Sequence, residues 1–266
     1  MILAFVYWEG DREEAYRLVR YAAAIEQARF PTVDRADVSV VLVRKSGTST
    51  DGLEDLLAEV ARSFRVCNAV CTEPVDDGYV QGANTTFFAA MNWASLNKDD
   101  AVFVMTADCA PMSLDWIDVI AAEHAAARVD GKHATGVVCA AGVPPHLNGN
   151  AVYDSRWLVN RKFRELPHYA PFDVFQRADM LPISRNCPRM VHGYAANGWS
   201  TEDLRGMQAA GIVWCHGFKD HGATLLRARS LVLGDVSPEE QAQIDALGPR
   251  KPNGISQEWI DYLTRP

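Results

Sequence analysis

Two apolar runs of this chain each lead into a side chain that can bind a divalent metal ion. Residues 101–105 are followed by Asp108, and residues 212–215 are followed by His216. A carboxylate oxygen and an imidazole nitrogen are both ligands that such an ion accepts. We therefore predict that Asp108 and His216, although far apart in the sequence, share one metal ion.

Buried strands have to present these two side chains. The run 101–105 is bounded by the polar residues 98–100 and by Pro111, which is typical of a short strand buried on both faces. In open α/β folds, ligands bind at the carboxyl ends of the parallel strands. Asp108 is expected at that edge of the sheet. His216 is expected at the end of a later strand.

The order of the elements predicts an α/β fold. The first half of the chain alternates strand-like runs with apolar residues at helical spacing, and further strand-like runs follow. The predicted strands span residues 2–7, 38–43, 66–70, 101–105, 135–140, 190–195 and 212–215. Repeated βα units of this length indicate a mostly parallel, Rossmann-like central sheet flanked by helices. The second half is less regular because prolines interrupt it.

Composition limits the functional classes. The chain has 266 residues, of which 48% are hydrophobic and 23% charged, as in an ordinary globular protein. A net charge of -8 argues against a generally basic surface that coats nucleic acid. No apolar stretch approaches the roughly 20 residues needed to span a bilayer, and we predict no membrane partner. The 6 cysteines lack zinc-site spacing; we interpret them as reduced thiols of a cytoplasmic protein.

Several common catalytic motifs are missing from the sequence. It contains no G-x-x-x-x-G-K-[ST] phosphate loop and no G-x-S-x-G nucleophile turn. The residues after the first predicted strand, 7–11, do not form the glycine-rich turn that binds dinucleotides. The glycine-rich basic loop of sugar-nucleotide pyrophosphorylases is also missing. These absences disfavour nucleotide hydrolysis, dinucleotide chemistry and esterase chemistry.

Three segments carry a resemblance to a known family. They are Gly82-Ala83-Asn84-Thr85 with the helix and strand that lead to Thr106-Ala107-Asp108, then residues 146–153, and finally residues 216–220. Over roughly residues 1–230 the chain resembles the GT-A class of nucleotide-sugar-dependent glycosyltransferases. The resemblance implies one GT-A-like domain over residues 1–236, with a nucleotide-binding half (1–112) and a sugar and acceptor half (113–236). A C-terminal helical extension (237–266) is expected to follow it.

The resemblance also implies roles for individual residues. In that class an Asp-x-Asp motif ends the strand, and its last carboxylate binds Mn²⁺ or Mg²⁺ and the donor diphosphate. Asp108 matches this position, while Thr106 stands where the first acid is expected. By the same resemblance, His216 completes the metal site and Lys219 contacts phosphate. A cation and a lysine together offset the charge of a departing diphosphate.

Further candidates surround this core. The rings of Tyr7 and Trp8 are expected to stack on the nucleobase, and Asn84, Thr106 and Asn148 to contact the donor. Asn148 precedes Gly149, and the same dipeptide is also a strong turn signal.

Two acidic segments have structural alternatives. Asp173 is expected either to bind hydroxyl groups of the donor sugar or to act as the base that deprotonates the acceptor. A helix N-cap is the alternative interpretation of Asp173. The acids Glu202 and Asp203 follow Ser200, and we interpret them as part of a helix cap rather than as catalytic groups.

The predicted function is metal-dependent transfer of a sugar from a nucleotide sugar, with a UDP-sugar expected as the donor. The acceptor stays open between a carbohydrate, a protein and a modified DNA base. Basic clusters at residues 161–164, 185–189 and 227–229 would serve the DNA case. One alternative is a catalytically inactive protein that binds nucleotide sugars or acts as a scaffold, because Thr106 replaces an acid. A nucleotidyltransferase is the other. The oligomeric state is not predicted.

Overall fold

The computed structural model describes residues 1–32, 35–73, 79–97, 101–139, 144–160, 171–195, 198–220, 222–234 and 242. The predicted C-terminal extension (237–266) lies outside these residues except for Ala242, and the basic cluster 161–164 lies outside them entirely. Among the described residues, no helix is both long enough and apolar enough to cross a bilayer.

Ten strands and nine α-helices are described in these segments. The strands are β1 (Ile2–Tyr7), β2 (Arg35–Arg44), β3 (Phe64–Cys71), β4 (Ala101–Met105), β5 (Cys109–Pro111), β6 (Ala134–Cys139), β7 (His146–Asp154), β8 (Ser184–Asn186), β9 (Met190–Ala195) and β10 (Trp214–Phe218). The helices are α1 (Arg12–Arg29), α2 (Leu53–Val60), α3 (Tyr79–Leu96), α4 (Trp116–Val129), α5 (Ser155–Val159), α6 (Phe172–Phe175), α7 (Arg177–Met180), α8 (Thr201–Ala209) and α9 (Ala223–Leu233).

A seven-stranded sheet in the order β3-β2-β1-β4-β7-β6-β8 forms the centre of the fold. β7 runs antiparallel to both of its neighbours, and the other pairings in this sheet are parallel. The prediction of a mostly parallel α/β sheet is therefore confirmed. β1 is apolar along its whole length because both faces are covered. One face packs with α1, α2 and α4, and the other packs with α3 and α5.

The alternative in which the Asn148-Gly149 dipeptide shapes a turn is wrong. Asn148 and Gly149 lie within strand β7, which pairs antiparallel with β4 so that Phe103 faces Val152. Because β7 runs the opposite way, its first residues extend past the carboxyl end of β4. Side chains alternate between the two faces of a strand. His146, Asn148 and Asn150 therefore lie on one face, at the edge where β4 delivers Asp108.

A second, three-stranded sheet in the order β5-β10-β9 brings the distant segment to this edge. β10 pairs antiparallel with β5, and His216 faces Cys109 in that pairing. His216 was expected after the end of a strand over residues 212–215. It lies instead inside β10, because pairing with β9 continues to Phe218. The register shifts between His216 and Phe218, where Gly217 adopts a φ of 105°.

Candidate active site

Asp108 occupies the short connection between β4 and β5, and its carboxylate is held on both oxygens. Lys219 donates to Oδ2, and the hydroxyl of Thr106 donates to Oδ1. Burial alone would raise the pKa of Asp108, but the electrostatic effect of the neighbouring His216 and Lys219 together with these hydrogen bonds outweighs it and lowers the pKa below its usual range. Asp108 is therefore ionised at neutral pH. The structure brings the side chains of Asp108, Thr106, His216 and Lys219 together.

The imidazole of His216 lies beside the carboxylate, with Nε2 at 3.5 Å from Oδ1 of Asp108. Asn150 determines which nitrogen carries the proton. Its Oδ1 accepts the backbone N–H of Thr106 at 2.7 Å, so its Nδ2 is the atom that donates to Nε2 of His216, also at 2.7 Å. Nε2 is therefore unprotonated and Nδ1 carries the hydrogen. Burial lowers the pKa of His216 to about 3, which keeps the ring neutral.

A second histidine, His192, completes this arrangement, and the sequence analysis missed it. β9 runs parallel to β10 in a register that pairs His192 with His216, and their Nδ1 atoms are 2.6 Å apart. His216 donates from Nδ1, so His192 accepts there. Burial lowers the pKa of His192 as well. The signal in the sequence is a repeated His-Gly dipeptide, 192–193 and 216–217, at matching positions of two strand-like runs.

Strand β7 extends the site with a row of buried polar side chains. His146, Asn148 and Asn150 are each less than a tenth exposed. Oδ1 of Asn148 accepts the backbone N–H of Asn150 at 2.9 Å, which orients the Asn148 amide. From Asn150 to His146 the row covers roughly 13 Å at the usual rise of a strand. It leads from Asp108 toward Asp173.

Asp173 lies in the first turn of α6 at the far end of this row. The backbone N–H of Gly149 donates to its Oδ2 at 3.0 Å, and Nε2 of His146 lies 4.0 Å from the same oxygen. Burial raises the pKa of Asp173, which makes the carboxylate a better proton acceptor. Asn84 accepts the backbone N–H of Phe172 at 2.8 Å, so it fixes the start of α6. In this structure Asn84 thus supports Asp173.

The two aromatic residues after β1 have different environments. Tyr7 is only 3% exposed and packs edge-on against Tyr16, with ring centroids 5.7 Å apart. Trp8 is 43% exposed, and its Nε1 donates to Asp11 at 2.5 Å. The accessible ring at the carboxyl end of β1 is therefore that of Trp8. Tyr7 contributes to the core beneath it.

The side chains around Asp108 do not fit a divalent ion in their present arrangement. Two ligands of one ion can lie 3.5 Å apart, as Oδ1 of Asp108 and Nε2 of His216 do. However, the single lone pair of Nε2 accepts from Asn150, so this nitrogen cannot bind a metal ion in the present arrangement, and the Lys219 ammonium group already lies against the carboxylate. Within the described segments there is no group of three or more His, Cys, Asp or Glu residues that could hold a metal ion. The cation in contact with Asp108 is the Lys219 ammonium group.

The acids near residue 200 have the structural role that the sequence indicated. Ser200 is the N-cap of α8 and accepts the backbone N–H of Asp203, whose carboxylate accepts the backbone N–H of Ser200 in return. This reciprocal capping box is confirmed. It accounts for Asp203 without a catalytic role.

Comparisons with known proteins give structural neighbours only. No family model and no curated protein matches the chain. The galactosyltransferase LgtC, solved with donor and acceptor sugar analogues, is 12% identical, with 99% of this chain and 100% of that chain covered and a TM-score of 0.45. The glycosyltransferase GlyE of Streptococcus pneumoniae TIGR4 is 7% identical, with 95% and 65% covered and a TM-score of 0.49. A cytidylyltransferase from Leptospira borgpetersenii is 12% identical, with 70% and 74% covered and a TM-score of 0.43. Because these similarities are low, the function has to be inferred from the side chains of the site.

Proposed function

We propose that this protein is a glycosyltransferase that takes its sugar from a nucleotide sugar. The observation that carries the proposal is the contact between Lys219 and Asp108 at the carboxyl edge of the sheet, continued by the polar row of β7 to Asp173. As a glycosidic bond to a diphosphate breaks, negative charge grows on the departing diphosphate. A cation at one end of this polar row and a proton acceptor at the other suit that reaction.

The donor is expected to lie across both halves of the domain. Trp8 offers an exposed ring to the nucleobase, at the end of β1 in the half formed by residues 1–112. Lys219 supplies charge to the diphosphate. Asn148, in the half formed by residues 113–236, has an amide suited to sugar hydroxyls. UDP-sugars are the first donors to test, because the sequence resemblance implies them.

Asp173 is the candidate base. In this role the acceptor oxygen attacks the anomeric carbon, and the bond from that carbon to the diphosphate oxygen breaks. Both electrons of the broken bond leave with the nucleoside diphosphate. The acceptor proton passes to the carboxylate of Asp173, whose raised pKa favours this transfer. If Asp173 instead binds donor hydroxyls, its loss will weaken donor binding as well as turnover.

The charges of the described surface favour a carbohydrate hydroxyl over DNA as the acceptor. Arg185 lies 3.4 Å from Asp130, and Arg227 lies 3.5 Å from Asp220. Arg189 lies 3.9 Å from Glu123. These arginines belong to the basic clusters that a DNA-modifying version requires. Because acids already neutralise them, they are poorly placed to form a phosphate-contacting groove.

The test is a panel of nucleotide sugars, each assayed with and without Mn²⁺ and Mg²⁺. Release of nucleoside diphosphate in the presence of simple sugar acceptors measures turnover, and the shift in melting temperature measures binding. We expect Asp173→Asn to lose turnover while keeping the thermal shift, and Asp108→Asn to lose both. Asp130→Asn, which alters an exposed carboxylate at the opposite edge of the sheet, is the matched control.

Other outcomes identify the alternatives. Thermal shift without transfer to any acceptor would indicate a binding or scaffold protein. Release of pyrophosphate from a nucleoside triphosphate and a sugar phosphate would indicate a nucleotidyltransferase. If no nucleotide sugar shifts the melting temperature or releases diphosphate, the proposed function is wrong.

A further inference from the structure

We infer that Lys219 takes the place of a divalent cation in this site, so that the donor diphosphate binds without metal. This inference rests on the proposed function for the identity of the ligand. Its basis is the set of contacts made by Asp108, Lys219 and His216. The resemblance of the sequence led us to expect Mn²⁺ or Mg²⁺ at this position.

The first step is the balance of charge. In the described part of the chain, the carboxylate in contact with Lys219 is that of Asp108, and Thr106 occupies the position of the first acid. The Thr106 hydroxyl adds a hydrogen-bond donor to the carboxylate and no negative charge. One ammonium group, that of Lys219, balances one carboxylate. A divalent ion in contact with Asp108 would meet this ammonium group at short range, and like charges so close repel each other.

The second step concerns the imidazole. To bind a metal, Nε2 of His216 would have to lose the hydrogen bond from Asn150. Asn150 cannot simply rotate its amide, because its oxygen accepts the buried backbone N–H of Thr106 at 2.7 Å. The hydrogen on Nδ1 is engaged by His192. His216 is therefore a buried member of a hydrogen-bonded chain, and its role is structural: it supports the site next to Asp108.

The third step is the reach of the lysine. Lys219 follows the last residue of β10, so its backbone is anchored to the small sheet while its side chain is 40% exposed. An ammonium group is a compact charge on a flexible stem, with three N–H donors. It can contact Asp108 with one donor and phosphate oxygens with another. Asp108 thus holds the ammonium group beside the position proposed for the diphosphate.

The first experiment uses Mn²⁺ alone and needs no nucleotide sugar. Electron paramagnetic resonance measures free Mn²⁺ during titration of the wild-type protein, Lys219→Met and Asp108→Asn. We expect no saturable binding to the wild type in the sub-millimolar range. Lys219→Met, which removes the competing ammonium group, should bind Mn²⁺ with a dissociation constant at least about tenfold below the lower limit that the titration sets for the wild type. Sub-millimolar binding to the wild type that is lost in Asp108→Asn would overturn the inference.

The second experiment measures binding of the nucleotide sugar that the panel identifies, in EDTA and in Mn²⁺. We expect the affinities of the wild type in EDTA and in Mn²⁺ to agree within about twofold. Lys219→Met should bind the nucleotide sugar about 30-fold more weakly, which corresponds to the loss of one charge-assisted hydrogen bond. Lys219→Arg, which keeps the charge, should retain most of the affinity. Lys132→Met is the control: it removes a lysine that donates to the carbonyl of Pro182, away from the site, and should leave the affinity for the nucleotide sugar unchanged.

The outcomes separate the two hypotheses. Loss of donor binding in EDTA and its recovery with Mn²⁺ would contradict the role of Lys219 and leave the glycosyltransferase intact. If no nucleotide sugar binds or releases diphosphate, the proposed function is contradicted. The Mn²⁺ titration would still decide whether the ammonium group excludes the metal ion.

Discussion

At the scale of single residues, the orientation of one amide determines the protonation of the site. The backbone N–H of Thr106 selects the oxygen of Asn150, and the nitrogen of Asn150 then selects Nε2 of His216 as an acceptor. The remaining hydrogen of His216 points to His192. Because each bond fixes the direction of the next, the neutral histidine pair has one arrangement of protons. Asn150 is therefore a positioning residue for Asp108 and His216.

Replacing Asn150 tests this role. Asn150→Leu keeps the approximate volume and leaves the Thr106 N–H and Nε2 of His216 without their partner. We expect the free energy of unfolding to fall by about 3 kcal/mol, because two buried polar groups lose their hydrogen bonds. Urea denaturation measures the change. Asn160→Leu, which alters an exposed amide bonded to the carbonyl of Arg156, should cost less than about 0.5 kcal/mol. Equal losses in the two variants would show that Asn150 has no special role.

The individual site residues differed in how far the sequence could predict them. Asp108 and His216 were predicted to lie close together because each follows an apolar run, and residues that follow buried strands lie at the same edge of the sheet. His192 was missed because its proximity to His216 depends on the register of β9 against β10, which no local pattern encodes. Tyr7 was expected to stack on the nucleobase with Trp8, but it lies within β1, where both faces of the strand are covered and the ring is buried.

At the scale of elements, β7 and the three-stranded sheet build the site. The polar residues at every second position from His146 to Asn150 are a strand signal, but Asn148-Gly149 is also a strong turn signal. Pairing with β4 and β6 decides between them, since both partners cover the strand. The parallel half of the fold was predictable because each βα unit is local. The antiparallel strand and the small sheet depend on distant pairing, so the sequence did not reveal them.

Gly217 tests the contact between β9 and β10. Its φ is 105°, and an added Cβ would lie 2.6 Å from the carbonyl oxygen of Gly193 and 3.0 Å from the His192 ring. Gly131 has a φ of 71° and no atom within 4 Å of such a Cβ. Gly131→Ala should therefore cost about 1 kcal/mol from backbone strain alone. Gly217→Ala should cost at least about 3 kcal/mol, because the clash adds to the strain.

Chemical denaturation of both glycine variants provides the comparison. Donor binding should also weaken in Gly217→Ala, because His192 and His216 have to move, and it should be unchanged in Gly131→Ala. A Gly217→Ala variant as stable as Gly131→Ala would mean that the close approach of the two strands is not present in solution.

At the scale of the whole molecule, the end of the central sheet opposite the site also holds a buried carboxylate, that of Asp154. Asp154 ends β7, where it faces Ala101 of β4. His124 of α4 lies 3.1 Å from Oδ1, and His133 before β6 lies 2.8 Å from Oδ2. These contacts tie a helix to two strands at this edge of the sheet. We assign Asp154 to stability.

Acid denaturation should reveal this contribution of Asp154. Burial alone would raise the pKa of Asp154, but the hydrogen bonds from His124 and His133 outweigh it and lower the pKa below its usual range. A carboxyl whose pKa is lower in the folded state stabilises the fold above the unfolded pKa of about 4, and this stability is lost as the pH falls toward the folded value. Asp154→Asn should therefore cost about 3 kcal/mol at pH 7.

The difference from the wild type should then shrink steadily below about pH 4, the ordinary pKa of an aspartate. Urea denaturation of both proteins at several pH values between neutral and strongly acidic measures it. Asp130→Asn, whose side chain is 63% exposed, should stay within about 0.5 kcal/mol of the wild type throughout. A constant gap between Asp154→Asn and the wild type across the whole range would mean that packing, and not the ionised carboxylate, is what holds α4 against the sheet.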